Sequence, residues 1–429
     1  MRSRSGQLQD SAFLALSTGA KTRTLDSKLS DFISVKDFGA VGDGVTNDTN
    51  AIQAALNSGA IHVYVPKGTY KTTATLYIPT KVSFEGAGKD SVIEATSISG
   101  PAISTFQGTF VDPNFNENQQ LKNICIGGSC TTALLWTCAI KSTVENITIK
   151  STSTYGVIVD GSFNCRFAQI ETYNATISNV CFWAGRAFNA NHVDGLHTSN
   201  FCNVNFLCNG LATLLNPLSP FNVTDNGGSG STITNACLQG GNVGMRFANT
   251  GYGGWTVNSP YFENVALPIE LGDTTAGDQQ LCRSVTFNSP FLLGRTLAGH
   301  PGGVSVVGVN ILNAVNITFN SIEFGEFGDA GCDPIRYRNS HKVLFNGFFF
   351  GNGGIGSTIT NKIKRIVLPS AGDSDGGVMV IGEEAGVTVG ERAHFILMKS
   401  KDYGYNHWKM QVNSSGAWAS IAATPIAVT

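Results

Sequence analysis

The side chains of this sequence that could carry acid–base chemistry are a small set of carboxylates within or beside predicted short strands. Charged residues make up only 14% of the 429 residues, so acids in such positions are uncommon here. Two carboxylates can share the roles of general acid and general base. We predict that the catalytic group comes from Asp194, Glu263, Glu323 and Glu326. Further acids of the same kind are Asp160, Glu171, Asp225 and Asp329.

A second candidate cluster is the stretch NANHVDGLHTSN, residues 189–200. It places His192 and His197 around Asp194, and a carboxylate can orient a histidine that acts as a base. Two histidines and an aspartate are also acceptable metal ligands, so a metal site stays open as an alternative. A polar loop without chemistry is the third interpretation. We predict no metal and no cofactor, and we assign both histidines to substrate binding.

Aromatic and cationic side chains near these clusters are the other candidates for ligand contact. Trp183 and Arg186 lie in FWAGR, while Tyr252 and Trp255 lie in GYGGW, with Tyr261 shortly after. Aromatic rings offer apolar faces to a ligand, and a guanidinium pairs with anionic groups. We predict that all five bind substrate. Packing inside the fold is the competing interpretation for Trp255 and Tyr261.

The composition excludes several classes of protein. The chain carries 28 basic and 30 acidic residues, so it has no basic field to bind a nucleic-acid backbone. Its longest apolar runs are far shorter than the roughly 20 residues of a membrane span. Ten cysteines are scattered without a CxxC pair, and we predict buried free thiols that were kept reduced during assembly inside a cell. The N-terminus is a poor match to a signal peptide.

A repeat in the middle of the chain predicts the fold. An asparagine precedes a short apolar strand at six places, with intervals of 30, 23, 30, 32 and 26 residues. Units of this size bury their apolar faces by stacking, and asparagines at one corner can hydrogen-bond along the stack and adopt left-handed turns. We therefore predict an all-β parallel solenoid, with about eleven coils over residues 60–360 and a length near 50 Å. The asparagines are Asn205, Asn235, Asn258, Asn288, Asn320 and Asn346.

Changes in sequence character divide the chain into three predicted parts. Residues 1–33 are polar and form an arm, residues 34–369 form the solenoid, and residues 370–429 form a small C-terminal β unit. Capping residues before the run AIQAAL predict one short helix near residues 49–57.

The segment SVKDFGAVGDGVTNDTNAIQAAL, followed by VYVPKGTYKT and FEGAGKDSVI, is similar to the opening of pectate-lyase-like right-handed β-helices. It is closest to the form found in bacteriophage tailspikes, in which a linker such as TRTLDSKLSDF leads into it. The resemblance covers about residues 22–94. Asn47 departs from the acidic residue that is frequent there, although asparagine also caps helices well.

The resemblance implies a homotrimer on a phage tail, assembled in the bacterial cytoplasm and attached to the tail or to an adaptor protein through residues 1–33. It also implies binding, and often cleavage, of a bacterial capsule or O-antigen. The opening motif is architectural, so it assigns no catalytic residue. If the asparagines align, Glu263 and Glu323 lie two coils and about 10 Å apart, which favours an inverting endo-glycosidase over a retaining one. Two alternatives remain: a lyase that uses Arg186, His192 and His197 on a uronate, and an adhesin that only binds glycan.

Overall fold

The fold is described from a computed structural model. It covers residues 12–13, 18–29, 31–107, 115–172, 175–199, 202–210, 228–272, 282–293, 307–325, 333–338, 340–351, 366–367, 378–379, 393–400, 404–412 and 418–425.

Three parallel sheets run along the molecule, because each coil contributes one strand to each sheet. Strands of successive coils pair in parallel, as between Thr286 and Thr318 or between Phe262 and Leu292. This arrangement is a parallel β-helix, and it confirms the predicted fold class. Several long strands bend at a corner and continue from one sheet into the next: Ser91–Ser104, Gln120–Thr137, Thr143–Ile149, Arg166–Thr172, Ala314–Gly325 and His341–Gly351.

The remaining strands belong to single sheets. The first sheet also contains Ile33–Ser34, His62–Val65, Ser83–Gly86, His192–Asp194, Thr232–Thr234, Trp255–Asn258, Cys282–Asn288 and Val378–Met379. The second sheet also contains Asp43–Asn47, Gly68–Thr72, His197–Ser199, Cys237–Gln239, Tyr261–Glu263 and Phe291–Leu293. The third sheet also contains Leu76–Tyr77, Thr152–Asp160, Thr176–Ala184, Val204–Cys208, Val243–Phe247, Leu267–Leu271, Val307–Leu312, Asp333–Arg338 and Ile366–Val367.

The coil number agrees with the sequence prediction. Within residues 60–360, eleven first-sheet strands follow one another from His62–Val65 to His341–Gly351. At a strand spacing of about 4.8 Å, this stack is roughly 50 Å long.

Helices and short pairings complete the described elements. The predicted capping helix spans Thr49–Leu56, and the Asn47 carboxamide oxygen accepts the Thr49 backbone N–H at its start. A helix at Leu25–Leu29 and a 3-10 helix at Val35–Phe38 precede it, and neither was predicted. Short pairs join Ala12–Phe13 to Arg23–Thr24 and Asn116–Glu117 to Ala139–Ile140. An antiparallel sheet of Ala393–Ser400, Gly404–Val412 and Trp418–Pro425 lies near the C-terminus.

The predicted domain boundaries stay predictions. The two-residue strand Val378–Met379 pairs with Val343 and Leu344 in the first sheet, although it follows the predicted boundary at residue 369.

Four of the six predicted asparagines form a hydrogen-bonded ladder along the coils. Asn258, Asn288, Asn320 and Asn346 pair in register. Each carboxamide donates to the oxygen of the preceding one, at 2.8, 2.7 and 2.8 Å between nitrogen and oxygen. After each of the first three, the left-handed residue of the corner is the serine that follows, as at Ser289, and not the asparagine itself.

Asn205 and Asn235 do not belong to this ladder, which corrects the prediction. Asn205 lies in the third sheet, is buried, and donates to the Gly240 carbonyl. Asn235 follows Thr234, the residue that pairs with Asn258, so it occupies the left-handed corner position itself.

Stacked apolar side chains fill the interior. Phe287, Phe319 and Phe345 lie one above another, with ring centroids 4.9 and 4.8 Å apart. The described cysteines are free, as predicted, and all but the half-buried Cys237 are buried. The Sγ atoms of Cys181 and Cys202 lie 3.3 Å apart.

Candidate functional site

Four of the predicted site residues lie together on the outer face of the second sheet, here called the second-sheet face. In strand Tyr261–Glu263 the central Phe262 points into the core, so the flanking Tyr261 and Glu263 point outward. The same alternation directs His197 and Glu323 outward. This face therefore carries two of the predicted catalytic acids together with two of the predicted binding residues.

Strand register arranges this face into two neighbouring columns. One column runs from Glu171 through His197, Cys237, Tyr261 and Phe291 to Glu323. The other contains Ser199, Gln239, Glu263 and Leu293 in successive coils. Each column presents one side chain about every 4.8 Å along the rod.

Glu263 and Glu323 occupy different columns, which changes the predicted spacing. They are two coils apart, about 9.6 Å along the rod, and also two residues apart along the strand, about 6.6 Å. Their backbone positions are therefore about 12 Å apart. A retaining pair, with carboxyl groups about 5–5.5 Å apart, does not suit these positions; an inverting pair requires the two side chains to lean toward each other.

A chain of polar contacts connects this face along the rod. The Lys89 ammonium lies 2.6 Å from the Glu171 carboxylate, whose other oxygen is 3.8 Å from Nδ1 of His197. Nε2 of His197 is 3.5 Å from Oε1 of Gln239, and the Gln239 amide donates to Glu263 at 2.6 Å. These contacts hold the imidazole between two polar groups and fix one oxygen of Glu263.

An aromatic pair lies beside these polar groups. Tyr261 and Phe291 stack with ring centroids 5.5 Å apart and an interplanar angle of 4°, and both are half-buried. Together they form an apolar platform on which a flat ligand surface can pack. Phe291 and Gln239 were not predicted. A sequence signal existed for Phe291, because it stands three residues after Asn288, as Tyr261 does after Asn258.

Asp194 and His192 lie on the outer face of the first sheet instead. Asp194 is half-buried, 4.0 Å from the Arg166 guanidinium, and accepts a hydrogen bond from Asn235 at 3.4 Å. Arg166 also pairs with Glu145 at 3.0 Å. His192 stands in the first-sheet column between Arg166 and Thr232. Within the described part of the chain, no group of three histidine, cysteine or acidic side chains could hold a metal ion.

Arg186 is not available to an external anion, which corrects its predicted role. It is buried, and its side chain donates to both oxygens of the fully buried Asp160, at 3.2 and 2.9 Å. Its backbone N–H donates to the same carboxylate at 2.9 Å. The same geometry removes Asp160 from the candidate acids, because its charge is already matched inside the fold.

Two predicted aromatic contacts are also packing residues. Trp255 is 1% exposed, lies between core rings, and donates its indole N–H to the Gly228 carbonyl. Trp183 is buried on the outer side of the third sheet in a separate apolar cluster that includes Tyr155 and Leu207. A ligand cannot reach a tryptophan face that is covered by neighbouring coils.

Tyr252 has the opposite environment, since it is 95% exposed between glycines with positive φ at 251 and 253. Its segment links the third sheet to the first, so it does not belong to the second-sheet face. The predicted positions Glu326, Asp225 and Asp329 lie outside the described residues.

The fold and this face together define a class of protein: a parallel β-helix that presents carboxylates, an imidazole and stacked aromatic rings in columns on one flank. The chain belongs to the family described as rhamnogalacturonase A/epimerase, pectate lyase-like, whose family profile matches residues 32–289.

Two phage proteins are among its relatives. The chain is 28% identical to the pre-neck appendage protein of Bacillus phage B103 over 156 residues, which are 36% of this chain and 17% of that protein. It is 58% identical to the tail spike protein of an Escherichia phage over 41 residues, 10% of this chain and 5% of that one. The chain thus spans a small part of the lengths of these relatives.

Among solved structures, the A-module of the mannuronan C-5 epimerase AlgE4 from Azotobacter vinelandii superposes with a TM-score of 0.50 at 14% identity, covering 81% of this chain and all of that one. This similarity supports the β-helix fold. No helix among the described residues is long and apolar enough to cross a membrane.

Proposed function

We propose that this chain is a tail-associated phage protein that binds a bacterial surface polysaccharide along the second-sheet face and cleaves it. The observation that carries the proposal is the grouping of the stacked Tyr261–Phe291 platform with the Glu171–His197–Gln239–Glu263 contact chain on one flank. Sugar rings have apolar faces that pack on aromatic rings and hydroxyls that hydrogen-bond to carboxylates and amides. An elongated rod also suits an elongated polymer. The phage relatives support a virion location on the tail, and the family name supports a polysaccharide as the ligand.

For the chemistry, we propose hydrolysis with Glu263 and Glu323 as the two carboxylates. One carboxyl protonates the leaving oxygen while the other takes a proton from the attacking water, which corresponds to the inverting geometry. Gln239 fixes one Glu263 oxygen through its 2.6 Å hydrogen bond, which leaves the other oxygen for substrate.

The test incubates purified protein with polysaccharide from the host and follows reducing ends together with absorbance near 235 nm. New reducing ends without absorbance support hydrolysis. Glu263→Gln and Glu323→Gln should each abolish cleavage and leave the thermal unfolding temperature nearly unchanged. Glu145→Gln is the matched control, because Glu145 pairs with Arg166 on the first sheet and should keep full activity. Full activity in both glutamine variants would remove these two residues from the mechanism.

A lyase is the second candidate, and the position of His197 favours it. Its imidazole lies on the second-sheet face beside Glu171, where it could abstract a proton from a bound uronate. Arg186 cannot neutralise the uronate carboxylate, because it is held by Asp160. Absorbance near 235 nm that rises with cleavage, and that disappears in His197→Gln, would establish elimination. Binding without either signal would identify an adhesin.

We further propose that the protein is a homotrimer attached to the tail through its N-terminal end. Exposed apolar side chains concentrate there: Phe32 is 68% exposed, Val45 74%, Ile61 64% and Tyr64 44%. Such a concentration is typical of a protein–protein contact surface. Light scattering at micromolar concentration should give three times the chain mass, and a monomer would contradict the assembly.

A further inference from the structure

Two cysteine side chains meet inside the β-helix, in successive coils of the third sheet. Cys181 belongs to strand Thr176–Ala184, and Cys202 lies just before strand Val204–Cys208; the two strands pair in parallel. The two cysteines are 1% and 2% exposed, and their Sγ atoms are 3.3 Å apart. Both belong to the apolar core. The two thiols are therefore in direct contact across the boundary between two coils.

A short chain of hydrogen bonds orients these thiols. The Cys181 thiol donates to the Cys202 sulfur, and the Cys202 thiol donates to Oδ1 of Asn205 at 3.3 Å. Asn205 is buried, and its amide donates to the Gly240 carbonyl of the following coil at 2.8 Å. An anchored acceptor thus keeps the Cys202 sulfur beside Cys181.

Cys208 has a different environment, although it lies in the same part of the third sheet and is fully buried. Its thiol donates to the Asn249 carbonyl at 3.3 Å. A hydrogen bond to a carbonyl satisfies a thiol but offers it no second sulfur to join. The contact between Cys181 and Cys202 differs because both atoms are sulfur, so oxidation can convert the contact into a covalent bond.

A disulfide at this contact would close one coil into a covalent ring. A sulfur–sulfur bond is about 2.05 Å long, so Sγ atoms that are 3.3 Å apart need to approach by only about 1.25 Å. The two cysteines are 21 positions apart, and the chain between them contains the first-sheet strand His192–Asp194 and the second-sheet strand His197–Ser199. The bond would join two coils that are otherwise held by packing and hydrogen bonds between neighbours.

We propose that Cys181 and Cys202 are an oxidation site, which forms an intrachain disulfide when the folded chain meets a low-molecular-weight disulfide such as oxidised glutathione. In the first exchange one cysteine thiol loses its proton, and its sulfur attacks the small disulfide and releases one small thiol. In the second exchange the other cysteine thiol loses its proton, and its sulfur attacks the mixed disulfide and releases the second small thiol.

The two exchanges balance. The cysteine pair is oxidised by two electrons, the small disulfide is reduced by two, and the two protons end on the released thiols. The inference concerns the chemistry of one coil and does not depend on the proposed ligand or activity.

Burial makes this oxidation slow. The pKa of Cys202 is raised well above its ordinary value, because its hydrogen bond with Cys181 and its burial both disfavour the thiolate. A small disulfide reaches the thiols only when the coil opens locally. We therefore expect the pair to stay reduced where a cell keeps thiols reduced, and to oxidise over hours in an oxidising medium.

The experiment incubates the purified full chain with oxidised glutathione at pH 8 for about one day and then alkylates the remaining thiols with iodoacetamide in urea. The fully reduced chain offers ten cysteines for alkylation. The intact mass of the oxidised chain should show two alkylated cysteines fewer than the mass of the reduced chain. A sample reduced with dithiothreitol before alkylation should return to the full number.

Peptide mapping without reduction identifies the linked residues. Trypsin should release peptide 167–186, which contains Cys181 as its single cysteine, joined to peptide 187–246. Chymotrypsin then cleaves after Phe201 and Phe206, which separates Cys202 from the other cysteines of the second peptide. The expected product is peptide 202–206 linked to the peptide that contains Cys181.

The oxidised protein should also resist unfolding more strongly. Closing a coil restricts the unfolded chain, so the midpoint of thermal unfolding should rise by roughly 5 °C and fall again after reduction. Cys181→Ala and Cys202→Ala should show no rise, and comparing each variant before and after oxidation cancels any change in its starting stability. Cys208→Ala is the matched control, since it removes another buried thiol of the third sheet and should keep the full rise.

Three results would overturn the proposal. The first is a full number of alkylated cysteines after oxidation in urea just below the unfolding transition, where the coil opens more often. The second is a main product that is a stable glutathione adduct or a disulfide between any other pair of cysteines. The third is the expected link without a rise in the unfolding midpoint, because the bond would then not fit the folded coil.

Discussion

Replacing Arg186 by alanine should destabilise the fold and leave glycan binding intact in the molecules that remain folded. Arg186 is 7% exposed and Asp160 is fully buried, and both the backbone N–H and the guanidinium of Arg186 donate hydrogen bonds to the Asp160 carboxylate. The alanine variant removes the guanidinium and its hydrogen bonds to both oxygens of the buried carboxylate. Breaking a buried pair by removing one partner typically costs about 3–5 kcal/mol, and we expect a loss of unfolding free energy in that range.

The measurement is urea unfolding followed by tryptophan fluorescence, with scanning calorimetry as a second readout. Arg246→Ala is the matched control, because Arg246 also pairs with a glutamate, Glu270, but its side chain is 38% exposed. The control should lose about 1 kcal/mol or less, since solvent screens such a pair. The double variant Asp160→Ala with Arg186→Ala should lose less than the sum of the two single variants, because it leaves no unmatched charge.

The reasoning would be refuted by an Arg186→Ala protein that keeps its full unfolding free energy but no longer binds polysaccharide. That result would restore Arg186 to the substrate site. Equal losses in Arg186→Ala and Arg246→Ala would refute the claim that burial determines the effect.

Three further predictions test the stacking of coils. Asn288→Ala removes two ladder hydrogen bonds, whereas Asn346→Ala removes one. In urea unfolding the free energy of unfolding should therefore fall by about 2 kcal/mol for Asn288→Ala and by about 1 kcal/mol for Asn346→Ala. Equal losses would contradict the ladder. Gly128→Ala should lower the free energy of unfolding by more than about 2 kcal/mol, because φ is +80° there and a Cβ would collide with the Ala95 carbonyl. Gly127→Ala should lower it by less than about 1 kcal/mol, because a Cβ there meets the end of the flexible Glu94 side chain. A reversed order of these two losses in calorimetry would refute this. Burial raises the pKa of Cys138 to about 11, so iodoacetamide at pH 8 should modify it only after unfolding, as read by mass spectrometry, and rapid modification of the native protein would contradict its burial.

The repeat allowed the fold to be predicted because its spacing is a property of the backbone. When an asparagine recurs once per coil at a fixed position in a strand, the interval between successive asparagines equals the number of residues in a coil. Asn258, Asn288 and Asn320 recur in this way. Asn205 and Asn235 were misplaced for a physical reason. Both precede apolar strands, as the ladder residues do, but one lies in a different sheet and the other one residue later, at a corner.

The site was less predictable, because sequence spacing does not show which side of a strand faces inward. Glu263 and Tyr261 point outward since the residue between them is the core Phe262. Trp183 also faces outward, yet its neighbours on the third sheet cover it, and nothing in FWAGR reveals that cover.

The corner between the first two sheets connects the asparagine ladder to the second-sheet face and determines which residues of that face point outward. After each of the first three ladder asparagines comes one left-handed serine, at Ser259, Ser289 and Ser321, and the outward residue of the second sheet follows two positions later. This constant offset stacks Tyr261, Phe291 and Glu323 in one column, even though the two intervals between these asparagines differ by two residues. Length differences are therefore absorbed elsewhere in each coil. Inserting or deleting one residue at this corner would reverse the inward and outward sides of the second-sheet strand, and the face would lose its carboxylates and its aromatic rings.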